Sequence, residues 1–176
     1  MDPLKWALGL IVLLGGTAVL GSYVWGVASI PNVGEFWGAT PEGLIPLYTV
    51  SMLLGAVSFF AILWFVLLKL DPPEVRIGER FGYEVFPWIL AAILVPSALW
   101  MPLVALYVAE PSEPVWWAIR ASLFVVGLAS LALVAALLRV EPKVPALAHR
   151  LALAGSVVFT AHTLILDALL WPAFFR

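Results

Sequence analysis

VFPWILAAILVPSALWMPLVALYVA, running from Val85 to Ala109, contains no Asp, Glu, Lys, Arg or His. It is longer than the roughly 20 apolar residues that carry a helix across a bilayer. Where no water is available, every backbone N–H and C=O has to be satisfied within the segment, so such a stretch reads as a spanning α-helix. Four similar blocks flank it, at about Leu4–Ile30, Ile45–Leu70, Val115–Val140 and Leu147–Trp171. Prolines mark the joints, at Pro31 and Pro41, Asp71-Pro72-Pro73, Pro111 and Pro114, and Glu141-Pro142 with Pro145, where helices stop or start. The predicted fold class is all-α, a polytopic membrane bundle of five transmembrane helices forming one transmembrane domain over residues 1–176.

Composition agrees with that reading. Hydrophobic residues make up 64% of the chain and charged ones 11%, so water is not its main solvent. A formal net charge of −2 supplies no basic field for nucleic acid, which is excluded as a partner; the lipid bilayer is the expected one. The absence of cysteine removes disulfides, thiolate metal sites and iron–sulfur clusters. The apolar run after Lys5 is too long for a signal peptide and reads as a retained first span.

Lys5, Lys69, Arg76, Arg80, Arg139, Lys143 and Arg150 all fall on the side shared by the N-terminus and the second and fourth loops. The first and third loops carry Glu35, Glu42, Glu110 and Glu113 and no Lys or Arg, so the positive-inside rule predicts a cytoplasmic N-terminus and an outside C-terminus. Arg120, within the fourth span, and the terminal Arg176 stand apart. Trp6, Trp25, Trp37, Trp88, Trp116, Trp117 and Trp171 lie near span ends, which predicts anchoring in the headgroup layer.

Leu67–Pro72 resembles Leu137–Pro142, and Arg80 falls on Arg150 at the same offset. This is the pattern of two duplicated helix hairpins, spans two and three against spans four and five, with an added N-terminal helix. A cytoplasmic span end of the form Leu-Leu-basic followed by acidic-Pro is the competing explanation. Small residues at four-residue spacing predict helix contact faces at Ala18, Ser22 and Gly26, at Ser51 and Gly55, and at Ala148, Ala152, Ser156 and Thr160. Pro96 and Pro102 predict a kink or local irregularity in the third span.

Ionisable residues inside spans are costly and are functional candidates by default; here they are Arg120, His162 and Asp167. Arg120 and Asp167 lie at similar depth, roughly 7 Å below the outer helix ends at 1.5 Å per residue, so an ion pair between them is expected. The two read as a charged vestibule, as an ion pair fixing helix register, or as side chains that both snorkel to the interface. His162 lies about 140° around an α-helix from Asp167, which predicts that the two do not form a dyad. As a lone imidazole it reads as a hydrogen-bonded structural histidine, a proton carrier or a ligand to a metal or tetrapyrrole. His149, about 20 Å away along the same helix, cannot share one iron with it. Tyr48, Trp100, Tyr107, Arg120, His162 and Asp167 are the expected ligand-binding residues, lining a cavity that opens to the outer side, with Ser97, Thr160 and Thr163 nearby. No catalytic residue and no metal site is assigned, because no nucleophile–base pair, zinc motif, P-loop or pair of catalytic carboxylates is found, and nothing argues for an enzyme.

Ser97-Ala98-Leu99-Trp100-Met101-Pro102 and Asp167-Ala168-Leu169-Leu170-Trp171-Pro172, together with Pro46-Leu47-Tyr48, resemble segments of the TspO/MBR family of tryptophan-rich sensory proteins. The likeness covers about a third of the chain in scattered patches. The loop from Pro31 to Ile45 lacks a Trp-x-Pro-Pro-like element of the kind that family carries there. The resemblance implies binding of a porphyrin or another apolar ring compound in a cavity capped by the first loop. A sensor or carrier of a small hydrophobic ligand is the first functional expectation. The alternatives are a non-catalytic subunit of a larger membrane complex, contacting pigment or cofactor through His162, and a small transporter working as a homodimer.

Overall fold

The computed structural model describes residues 2–29 and 32–175. The expected end of the first span at Ile30, the break at Pro31 and the terminal Arg176 lie outside the described residues. Five helical rods are long and apolar enough to cross a membrane. They are α1 (Pro3–Ser29), α2 (Ile45–Leu63, continued by a wider turn over Trp64–Lys69), α3 (Val85–Ala109), α4 (Glu113–Arg139) and a composite last rod. That last rod begins as α5 (Ala146–Thr160), widens into a π-helical stretch over Ala161–Leu170 and ends as α6 (Trp171–Phe175). The chain is an integral membrane protein with a helical fold; its only sheet among the described residues is a two-residue ladder between β1 (Arg76–Ile77) and β2 (Val140–Glu141).

Sequence order sets only part of the packing, since α1 and α2 do not rest mainly on each other. α1 packs on α3, α3 on α4, α4 on α5 and α5 on α2, while α1 meets the wider turn at the end of α2. The seven basic residues singled out in the sequence therefore share one end of the bundle, here the basic end. At that end Leu8, Ile62, Phe65, Tyr83, Phe86, Leu133 and Leu137 form a core that draws on several helices. Tyr83 is fixed there by donating to the Val66 carbonyl at 3.1 Å. Burial pushes its phenol above the ordinary range, and the Asp2 carboxylate adds to that shift.

At the opposite end the core is aromatic. Trp100 meets Trp171 edge-on at 5.6 Å, and Trp171 stacks on Phe175 at 4.2 Å. The first loop lies across this layer: the Trp171 indole donates to the Phe36 carbonyl at 2.9 Å, and the Ala39 N–H donates to the Phe174 carbonyl at 2.7 Å. Trp116 and Trp171 are thus core residues, which corrects the expectation that they anchor in headgroups; Trp6, Trp25, Trp88 and Trp117 remain exposed at helix ends.

α3 keeps α-helical winding through Pro96 and Pro102, and the irregular winding lies at the end of α2 and in the last rod. Exchanging the two hairpins of the sequence repeat maps the α2–α5 contact onto α3–α4, but the α4–α5 contact has no α2–α3 counterpart of similar extent. Of the small-residue faces, Ala148, Ala152, Ser156 and Thr160 are all buried and Gly55 lies against His162, whereas Ala18 is exposed.

Candidate functional site

The polar site of the bundle grows out of the π-helical stretch. In a helix closed by i→i+5 hydrogen bonds, residues five apart come near one face, unlike those of an α-helix. That winding brings His162 Nε2 to 3.4 Å from Asp167 Oδ2. The expectation of two side chains pointing apart is overturned, because it assumed 100° per residue throughout.

Hydrogen bonds from neighbouring helices brace the stretch. On the α4 side, Ser130 and Thr163 share a buried hydroxyl–hydroxyl bond of 2.8 Å, and Thr163 also donates to the Phe159 carbonyl at 3.0 Å. Gly127 lets α4 approach here: a Cβ on it would lie 2.8 Å from Leu164 Cδ1 and 3.0 Å from the Leu164 Cα. On the α2 side, Tyr48 donates to the Leu166 carbonyl at 3.2 Å, and Ser51 Oγ lies 3.1 Å from His162 Nδ1. Both imidazole nitrogens are therefore engaged. Ligation of a pigment metal by His162 would require one of these contacts to break, which counts against that use of the residue.

The side chains of His162 and Asp167 are 12% and 31% exposed, so the pair is reachable from the surface of the bundle. Tyr23 of α1 and Tyr48 of α2 both lie near the Asp167 carboxyl group. Tyr23 in turn packs on Trp100 at 5.7 Å between ring centroids. The Trp100 indole nitrogen is buried and has no hydrogen-bond partner among the described residues. The result is a polar patch on the α1- and α2-facing side of the last rod, walled by aromatic rings from three other elements.

Two expected members are elsewhere. Arg120 makes no ion pair among the described residues; its guanidinium lies over Trp116 at 5.9 Å and Phe124 at 5.2 Å, with Nε buried and unbonded. The expected Arg120–Asp167 pair is therefore absent. Similar depth did not bring the two together, because α4 turns Gly127 and Ser130 toward the π stretch while Asp167 turns toward α1 and α2. Tyr107 stacks among Trp116 and Phe175 and lines an open cleft of about 420 Å³ beneath the first loop, away from the His162–Asp167 pair. Ser97 turns back on its own helix, donating to the Ile93 carbonyl at 2.7 Å. His149 is bonded through Nε2 to the Leu137 carbonyl at 2.8 Å and packs on Phe65, a structural role at the basic end.

The sequence reading passed over Tyr23, and it took Ser51 only as a packing residue. Tyr23 carried a usable signal, since it is the one phenol in the first span. Among the described residues no three His, Asp or Glu side chains converge as metal ligands would. The chain matches no family model, no curated protein and no solved structure with which it was compared.

Proposed function

We propose that this protein binds a small, largely apolar ligand that offers one hydrogen-bond donor to Asp167, the ligand lying against Tyr23, Tyr48 and Trp100. One observation carries the reading: a partly exposed carboxylate, oriented by an imidazole, stands within a spanning rod where such groups are expensive to keep. The one arginine at its depth lies on other rings, so no guanidinium competes for the carboxylate. The buried, unbonded Trp100 N–H adds an unused donor beside the same aromatic wall. A planar ring compound or sterol-like molecule with an N–H or O–H group has the right chemistry: apolar faces for the aromatic side chains and a donor for the carboxylate. The basic end is assigned to the cytoplasm on the positive-inside rule, which puts the ligand site in the outer half of the bilayer.

The test is a titration of the detergent-solubilised chain with protoporphyrin IX and, separately, with a fluorescent sterol, comparing the native protein with Asp167→Asn and His162→Gln. Binding of at least one probe, weakened tenfold or more by Asp167→Asn while helicity is unchanged, is the expected result. Equal binding by native and Asp167→Asn proteins, or binding of neither probe, overturns the proposal.

A further inference from the structure

We propose that the basic end carries a second, separate site, built for the phosphate of an anionic phospholipid. After α2 the chain folds back onto the end of α4, where Arg76 pairs with Glu141 and Ile77 with Val140 in the β1–β2 ladder. Gly78 then turns the chain at φ +63°, a conformation L side chains rarely adopt, and its N–H donates to the Arg139 carbonyl at 3.3 Å. The Ile77 N–H donates to the Phe81 carbonyl at 2.8 Å, closing the turn. Backbone hydrogen bonds therefore hold the loop against the helix end.

Between this loop and the helices lies a groove of about 540 Å³. Its floor is apolar, formed by Val85 and Ile89 near the start of α3 and by Ala132 and Ala135 on α4. Its mouth carries Arg80 from the loop and Arg139 from the last turn of α4, with Glu79 beside them. Both arginines are exposed, and neither makes an ion pair among the described residues.

Position selects the occupant. Arg139 ends a spanning helix, so the mouth sits where headgroups begin, while Ala132 and Ile89 lie toward the hydrocarbon. A molecule filling both parts needs an anionic head and a hydrocarbon tail. Guanidinium groups take phosphate oxygens through paired N–H donors, and two arginines outweigh one glutamate, which favours an anionic phosphodiester over a zwitterionic one. The positive-inside rule accounts for basic residues at this end. It does not account for two of them from different elements sharing the mouth of an apolar groove.

The experiment uses the full chain in a neutral detergent. Retention of phosphatidylglycerol, phosphatidylethanolamine and phosphatidylcholine is measured by native mass spectrometry, with glycerol phosphate as a tail-free control. Phosphatidylglycerol should be retained preferentially. The double variant Arg80→Gln/Arg139→Gln should weaken that retention by about thirtyfold, from about 1 kcal/mol per basic residue near the surface. Arg150→Gln, which removes one charge from the same end without touching the groove, should change it by less than about fivefold. Ala132→Phe, which fills the groove at an exposed position and leaves the charge unchanged, should also weaken retention. The proposal is overturned if Arg150→Gln matches the double variant, if either zwitterionic lipid binds as well as phosphatidylglycerol, if glycerol phosphate binds equally, or if Ala132→Phe has no effect.

Discussion

Replacing Thr163 by valine removes one hydroxyl from the centre of the π stretch and leaves the shape of the side chain almost unchanged. Two contacts go with it: the 2.8 Å bond shared with Ser130 and the 3.0 Å bond to the Phe159 carbonyl. The second lies within one rod and costs little. The first joins α4 to the last rod at a place where Ser130 is fully buried and Thr163 is 5% exposed. Ser130 can then turn its one proton to the Gly127 carbonyl, 2.8 Å from its Oγ, so no orphaned hydroxyl results and no large desolvation penalty is added. Interhelical hydrogen bonds in membranes average about 0.6 kcal/mol and reach about 1.7. Thr163→Val should therefore shift the unfolding equilibrium about threefold to twentyfold. Unfolding by sodium dodecyl sulfate in mixed micelles, followed by circular dichroism, measures this for the native protein, Thr163→Val, Ser130→Ala and the double variant. In the Ser130→Ala background most of the Thr163→Val cost should vanish. Equal cost in both backgrounds would refute the argument that the pair ties α4 to the π stretch, as would a loss above about 3 kcal/mol, which one membrane hydrogen bond cannot supply.

Other expectations use the same unfolding assay or simple probes. Gly127→Ala places a Cβ against the Leu164 backbone and should cost about 1–3 kcal/mol, whereas Gly16→Ala, with nothing within 4 Å, should be neutral or slightly stabilising. Equal effects would show that α4 does not approach Leu164 so closely. Arg120→Met should change stability by less than about 1 kcal/mol, because no ion pair is broken; a loss of 3–5 kcal/mol would reveal a buried anionic partner. Trp171→Phe removes the bond to Phe36 and should cost about 0.5–1.5 kcal/mol. It should also speed protease cleavage of the first loop, and an unchanged cleavage rate would mean that the loop is held by other contacts.

The five rods could be read from the sequence because a spanning segment declares itself by length and lack of charge, and Val85–Ala109 does so without any tertiary information. What could not be read was azimuth. Arg120 and Asp167 were matched by depth, but depth does not say which way a side chain turns, and Arg120 settled over Trp116 and Phe124 instead. The separation of His162 from Asp167 followed correctly from α-helical geometry, and failed because the local winding is not α-helical. No residue type announces a π turn; the hydroxyls of Ser130 and Thr163 that support it are ordinary in any membrane helix. Trp116 and Trp171 were misplaced for a related reason, since a tryptophan near a span end suits the headgroup layer and the interior equally well.

The order of packing bears on how the chain is made. Because α1 lies on α3 and α2 on α5, the first two spans leave the ribosome before the surfaces they rest on have been synthesised. Each has to persist as a solitary rod in lipid, and each is equipped for that: neither contains an Asp, Glu, Arg or His, and their only Lys residues lie at the basic end. The polar cargo is loaded on the rods that arrive last. Arg120 comes with α4, and His162 and Asp167 come with the least apolar rod of the five, which emerges when the other four are already present to receive it.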